Sequence, residues 1–460
     1  MRDDIIAAIA TPPGEGGIAI VRVSGEGAIE KIDRLFQARV KDKKLQDQKP
    51  FTLTLGWIKS EDGDIIDEVL ASTMRAPRSY TGEDMVEINC HGGLLAARRC
   101  LQRVLDTGIR IAEPGEYTRR AFLSGKMDAS QAEAVIDIIR AKSDRGLRLA
   151  MKQLEGKNSE YVGQLEELLM EANMLVEATI DFSEDVGELN YPRVRELLER
   201  TRTGIEKMLR AGELGDVYRE GISVAICGKP NVGKSSLLNA LLRKERAIVT
   251  DIPGTTRDVI EEYISIKGIP VKIIDTAGIR ATADIVEQIG INKAQEAIRN
   301  AELVIFLLDI EAGMTEEDRM IYRGLENQER VIVLVNKDDL QAKNITAHDI
   351  RQEFPGLDVI WASIKEDVGM EELAEIIAKK AVAGLVDIDQ LEFTVNLRQK
   401  ENLLAARKYI QEALDAMEQV PLDCLGVDLQ DAMASLGQIT GRDLKEESIE
   451  RIFQEFCIGK

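Results

Sequence analysis

Apolar positions along the chain change their spacing three times, and each change marks a different kind of structure. In residues 1–118 short apolar runs alternate with polar residues. Ile18–Val23, Phe51–Ile58, Val69–Met74 and Met85–Cys90 read as strands, Ala28–Phe36 as a helix, and Glu61-Asp62-Gly63-Asp64 as a turn. From about Met127 the spacing becomes helical: Val162, Leu165, Leu168, Leu169, Ala172, Leu175 and Val176 share one face, with Glu, Gln and Asn between them. The same spacing returns at Leu403, Ala406, Ile410, Leu414 and Met417. Both stripes read as helix-bundle core.

Between the two helical stretches, Val271–Ile274, Leu303–Leu308, Val331–Val335 and Val359–Trp361 are near-continuous apolar runs separated by amphipathic segments. Strands buried on both faces look like this. Tyr263–Ile266 alternates instead and turns at Lys267-Gly268, as an antiparallel edge strand does. The pattern predicts a multidomain chain: an α+β unit over 1–118, an all-α helical domain in two parts (119–215 and 382–460), and an α/β doubly wound domain over 216–381 inserted into it.

Composition narrows the setting. A chain of 460 residues with 44% hydrophobic and 31% charged residues is globular in character. No apolar run approaches the ~20 residues of a membrane helix, and no basic segment precedes an apolar one near residue 1. The five scattered cysteines are expected to be reduced thiols in a cytoplasm. With two histidines and no C-x-x-C, a zinc site is not expected. A net charge of −21 argues against non-specific nucleic-acid binding by the whole surface, while leaving room for a local patch or a nucleic acid shared with a basic partner.

The chemistry is concentrated at Gly228–Ser235, GKPNVGKS, which lies between the apolar run Ser223–Cys227 and a helix-forming segment. This is the G-x-x-x-x-G-K-[ST] phosphate loop in its strand–loop–helix setting. Backbone N–H groups around Asn231, Val232, Gly233, Lys234, Ser235 and Ser236 would face phosphate oxygens at a helix N-terminus. Lys234 would reach the β- and γ-phosphates, and Ser235 would ligate Mg²⁺. About twenty residues on, Thr250-Asp251-Ile252-Pro253-Gly254-Thr255-Thr256 fits a switch loop. Asp275-Thr276-Ala277-Gly278 closes a buried strand, with Asp275 suited to the Mg²⁺ water shell and the Gly278 N–H to the γ-phosphate. Asn336-Lys337-Asp338-Asp339 closes another. The Asp339 carboxylate can accept from guanine N1–H and its exocyclic amine, donors that adenine does not offer, whereas Asp338 is expected to face solvent.

Three motifs in this order define a GTP site. Ile279 occupies the position after Gly278 where many GTPases carry a water-orienting glutamine, so catalysis needs another polar group. Asp284 and Glu287 lie downstream, and Arg257 and Arg280 are the candidates for an arginine finger in cis.

The chain resembles the MnmE (TrmE) family of tRNA-modification GTPases over essentially its whole length. The resemblance rests on TPPGEGGIAIVRVSG, YTGEDMVEINCHGG, PGEYTRRAFLSGKMD, EATIDF, the guanine-nucleotide motifs and Cys457-Ile458-Gly459-Lys460. It implies an N-terminal domain like the tetrahydrofolate-binding fold of aminomethyltransferases, which also mediates homodimerisation. It implies a Ras-like G domain, and a flavoprotein partner, MnmG, in a heterotetramer or larger complex. Together they would add an aminomethyl-type group at C5 of the tRNA wobble uridine, using 5-formyltetrahydrofolate or a related folate.

By the same resemblance the folate contacts fall on Arg22, Glu87 and Lys126, with Lys460 nearby. K⁺, which drives G-domain dimerisation in the family, falls on Asn231, Thr250, Ile252 and Thr255. Mg²⁺ falls on Ser235 and Thr256, and the catalytic carboxylate on Glu287 rather than Asp284. Cys457 is either a reactive thiol or a buried or structural cysteine beside the folate pocket. The family's S-A-K loop beneath the base reads Ser363-Ile364-Lys365 here. The rival reading from another class is an RNA-binding regulatory GTPase of ribosome assembly. Such proteins generally carry a basic appendage, where this chain has an acidic one.

Overall fold

The computed structural model describes residues 4–244, 263–275, 296, 298–325, 328–382, 393–442 and 444–460. Its first unit is a seven-stranded mixed sheet ordered β3-β4-β5-β6-β2-β1-β7. The strands are β1 (Ile6–Ile9), β2 (Ile18–Ser24), β3 (Phe36–Ala38), β4 (Leu53–Lys59), β5 (Ile65–Met74), β6 (Met85–His91) and β7 (Arg110–Ile111), with helices α1 (Ala28–Asp33) and α2 (Leu94–Leu105). Only β1 and β7 pair in parallel. The side chains of Val21, Val23, Val69, Ala71, Val86 and Ile88 alternate onto one face and are buried together with residues of both helices.

The opposite face carries Ile18, Leu53 and Leu70, each more than a third exposed, beside Arg22 and Glu87, which are direct cross-strand partners. The sequence places Phe36 at the end of a helix. In the structure α1 stops at Asp33, and Phe36 opens β3 opposite Ile58, where its ring is 8% exposed. Burial of one aromatic ring outweighs helix continuation there.

The helices that follow are α3 (Glu116–Leu123), α4 (Ala129–Arg140), α5 (Asp144–Leu154), α6 (Lys157–Asp181), α7 (Ser183–Val186) and α8 (Tyr191–Arg219). The apolar stripe on α6 predicted from its spacing is buried, and its partners come from both sides of the inserted domain. Val162, Leu165, Leu169, Ala172 and Val176 share one core with Leu197 and Ile205 of α8 and with Leu403, Ala406 and Ile410, distant in sequence. Polar groups tie the two halves as well: Arg398 grips Glu133 at 2.6 Å, and Asn158 Nδ2 donates to Thr394 O at 2.5 Å.

The inserted domain is a six-stranded sheet ordered β13-β12-β11-β8-β10-β9. Its strands are β8 (Ile222–Cys227), β9 (Tyr263–Ile266), β10 (Ile269–Asp275), β11 (Leu303–Asp309), β12 (Val331–Asn336) and β13 (Asp358–Trp361). All neighbours are parallel except β9–β10. The β9–β10 turn falls at Lys267 and Gly268, with φ of 51° and 83°, as the alternation of Tyr263–Ile266 predicts. Every residue of β11 and β12 is buried.

Helices α9 (Lys234–Lys244), α10 (Glu316–Arg323), α11 (Ala347–Glu353) and α12 (Met370–Ala381) surround the sheet. The chain then returns to the bundle through α13 (Leu397–Ala416), α14 (Leu422–Thr440) and α15 (Glu446–Gln454). Phe453 and Phe456 of the last segment pack with Ala132 of α4 and with Phe122, and carry residues 457–460 back to the first sheet. No helix among the described residues is long and apolar enough to cross a membrane.

Candidate functional site

The phosphate loop leaves β8 at the centre of the parallel sheet, where the strand order reverses and open α/β sheets bind their ligands. Gly228, Asn231 and Gly233 take φ of 141°, 67° and 109°, which curls the backbone over the start of α9. A Cβ at Gly233 would sit 2.4 Å from Asn336 Nδ2. Lys234 Nζ donates to Gly228 O at 2.8 Å and Lys229 O at 2.6 Å, lying back across the loop it serves. Ser235 and Ser236 are exposed at the helix start, as is the Asn231 side chain, while Val232 is buried.

The strand end Asn336–Asp339 is locked to this loop. Asn336 Nδ2 donates to Val232 O at 2.8 Å, and its Oδ1 accepts from Ile364 N at 3.2 Å. One buried amide thereby spans the phosphate end, the Asn336–Asp339 strand end and the Ser363–Lys365 loop. Lys337, at φ 69°, lies 2.6 Å from Asp309. Ser363 Oγ donates to Asp339 Oδ1 at 2.6 Å, and this bond holds the exposed Asp339 carboxyl below its ordinary range, ionised and able to accept. Ser363-Ile364-Lys365 thus forms the loop beside Asp339, with Lys365 exposed and 3.3 Å from Glu366. Asp338, expected to face solvent, is an ion-pair partner of Lys343 at 2.5 Å.

Two functional contacts had no place in the sequence reading. Lys229, the second residue of the loop, pairs with the buried Asp318 of α10, and Lys337 pairs with Asp309. Thr315-x-x-Asp318 carries a capping-box signature, and the structure forms that box. Its second use as an anchor for Lys229 spans 86 residues and leaves no local pattern.

Asp275 ends β10 opposite Ile226. Its side chain, with Thr250, Asp251, Ile252, Pro253, Gly254, Thr255, Thr256, Thr276, Ala277, Gly278, Asp284 and Glu287, lies outside the described residues.

A second site sits on the first sheet. Arg22 meets Glu87 at 2.9–3.0 Å through two nitrogens and donates through Nη1 to Gly459 O at 3.1 Å. The Tyr80 and Tyr117 rings flank the guanidinium at 5.8 and 5.7 Å. Burial raises both phenols above their usual range, and Tyr117 OH donates to Arg22 O at 2.7 Å. Residues 457–460 close one side: Tyr117 N donates to Lys460 O at 3.1 Å, and Gly115 N to Cys457 O at 3.4 Å. Burial first, then the Arg22 charge, lowers the Lys460 ammonium below its ordinary value. Cys457 is exposed rather than buried, and its carbonyl takes part in the contact that seats this segment beside Arg22. Lys126 donates to Pro77 O at 3.1 Å, and its stem lies against Gly82 in the loop that follows Tyr80. A donor–acceptor pair between two aromatic rings suits a flat heterocycle carrying donors on one edge.

The comparisons with known proteins match this architecture. Residues 5–126 match the profile of the GTP-binding protein TrmE N-terminus, and residues 130–457 that of the MnmE helical domain. The chain is 57% identical over 460 residues, covering 100% of both sequences, to the tRNA modification GTPase MnmE of Syntrophomonas wolfei subsp. wolfei. It is 44% identical over 463 residues, again covering 100% of both, to that of Desulforamulus reducens. Among solved structures, the G domain of the T. maritima FeoB iron transporter is 30% identical with a TM-score of 0.26, covering 35% of this chain and 98% of that one. With an N-terminal TrmE domain, a divided helical domain and an inserted G domain, matched by relatives along its entire length, the chain belongs to the MnmE (TrmE) family.

Proposed function

We propose that the chain is a GTPase acting in tRNA modification: the GTP-hydrolysing subunit of a complex that modifies C5 of the wobble uridine. The observation that carries this is the Asn336 amide, which joins phosphate loop, base-reading strand and Ser363 loop in one arrangement. Asp339 accepts from guanine, the curled backbone of Gly228–Gly233 cradles phosphate, and Lys234 exchanges its loop carbonyls for phosphate oxygens.

The exposed Ser235 hydroxyl, with Thr256, would hold Mg²⁺, and Asn231, with Thr250, Ile252 and Thr255, would hold K⁺. Such cations supply positive charge against the oxygens that become more negative during phosphoryl transfer. Glu287 would take or orient the proton of the attacking water in place of the glutamine absent at Ile279.

On the first sheet, Glu87 would accept from the donor edge of a tetrahydrofolate such as 5-formyltetrahydrofolate, while Arg22, Lys126 and Lys460 supply charge for its carboxylates. The exposed apolar residues on that same face, Ile18, Leu53 and Leu70, support a homodimer. The partner is the flavoprotein MnmG and the substrate tRNA, in the cytoplasm. With a net charge of −21, the chain would hold tRNA jointly with that partner.

The deciding experiment is steady-state GTP hydrolysis in K⁺ and in Na⁺, with and without MnmG. Much faster turnover in K⁺ is expected. Equal turnover in the two salts removes the K⁺ assignment, and no affinity for GDP or GTP with Mg²⁺ removes the whole reading.

A further inference from the structure

On the helix-covered face of the first sheet, two thiols and a carboxylate converge. Cys90 of β6 is 3% exposed, and Cys100 of α2 is fully buried. Their sulfurs and a carboxylate oxygen of Asp67, on β5, all lie within 4.8 Å of one another. Cys90 Sγ donates to Ala19 O at 3.2 Å.

Asp67 is held from outside by the next residue of β6. His91 Nδ1 lies 2.6 Å from one carboxylate oxygen, and His91 N donates to the other at 2.8 Å. The Asp67 side chain is 10% exposed and the His91 side chain 70%, so Asp67 is the member of the cluster nearest solvent.

Two sulfurs and one oxygen from three elements, with a hydrogen-bonded carboxylate, form a donor set that hard cations do not select. Thiolates favour zinc-class ions over Mg²⁺ or Ca²⁺. Three protein ligands with a fourth position toward water is an ordinary zinc arrangement, and a partner that orients a ligating group from outside is its usual support. We propose that Asp67, Cys90 and Cys100 bind a thiophilic divalent cation of the zinc class, with His91 bracing Asp67.

Binding replaces two S–H bonds by two metal–sulfur bonds and one metal–oxygen bond. Both thiol protons pass to solvent, and the Cys90 bond to Ala19 O is given up. No electron is transferred. The ion would cross-link α2 to β5 and β6. Glu87 stands on β6 three residues before Cys90 and points to the opposite face, so the ion would stiffen the strand that carries the Arg22–Glu87 site.

The test uses the full chain, reduced, chelator-treated and nucleotide-free, titrated with Co²⁺ and then displaced with Zn²⁺. One equivalent of Co²⁺ is expected to produce a thiolate-to-cobalt charge-transfer absorption that Zn²⁺ abolishes. Cys90→Ser and Cys100→Ser should each remove it, while Cys424→Ser and Cys457→Ser, at exposed thiols, should keep it. Asp67→Asn, at the rim and tolerant of folding, should weaken Zn²⁺ by about tenfold or more. The proposal fails if the absorption does not form, if it survives loss of Cys90 or Cys100, or if Asp67→Asn binds Zn²⁺ as tightly as the parent. GTP hydrolysis by the same preparations reports separately on the G domain.

Discussion

The Lys229 ammonium lies 2.6 Å from a carboxylate oxygen of Asp318, a side chain only 1% exposed, and 3.0 Å from the Thr315 hydroxyl. The second residue of the phosphate loop is thereby fastened to the first turn of α10. Removing one partner of a buried pair leaves the other charge uncompensated, which costs about 3 kcal/mol or more. Lys229→Ala should lower the thermal midpoint of the G domain and quicken GDP release, and Lys229→Arg should restore much of both. Scanning calorimetry and fluorescent-nucleotide dissociation check this; unchanged midpoint and release rate in the alanine variant would show that the pair anchors nothing.

Asp339→Asn keeps an oxygen for Ser363 Oγ–H to donate to, so the loop should stay in place, but it turns one acceptor edge into a donor. Affinity for GDP should fall by roughly a hundredfold or more, because guanine N1–H and its amine lose their ionised acceptor. Titration with a fluorescent guanine nucleotide decides it, with circular dichroism confirming an unchanged fold.

Burial raises the Asp137 carboxyl from 3.8 to about 6, against the opposing pull of Arg219. A raised folded-state value means that the folded protein binds more protons than the unfolded chain between about pH 4 and 6. Stability on this account is fully present below pH 4 and falls as pH climbs through 6. Asp137→Asn should therefore raise the melting temperature at pH 8 and leave it nearly unchanged near pH 4. A pH-independent effect of the substitution would contradict this.

Glu287→Ala should bind GTP with near-parent affinity while hydrolysis drops by a factor of the order of 10² or more, the usual contribution of a positioned acid–base group. Asp284→Ala should hydrolyse normally. The reverse pattern in single-turnover assays would move the role to Asp284.

What the sequence made legible follows burial. Strands β11 and β12 are covered on both faces, so their apolar runs stand out, and Lys267-Gly268 announces its turn through backbone angles few other pairs accept. The phosphate loop reads as clearly because its chemistry is local. Lys229–Asp318 and Arg22–Gly459 could not be read, since each pairs residues of ordinary type far apart in the chain. Phe36 misled for a related reason: its helix-compatible neighbours carry no sign that Ile58 waits across the sheet. Tyr80 and Tyr117 lie inside stretches that carry the family resemblance, yet their role as walls depends on Arg22 standing between them.

The carbonyl of Gly459 accepts a hydrogen bond from Arg22, and a methyl group at that glycine would lie 2.6 Å from Ile9 O. Arg22 is translated early, whereas Gly459 follows it by 437 residues. A nascent chain can therefore fold its first sheet early, but cannot offer a finished cavity until the helical bundle has brought the far end home.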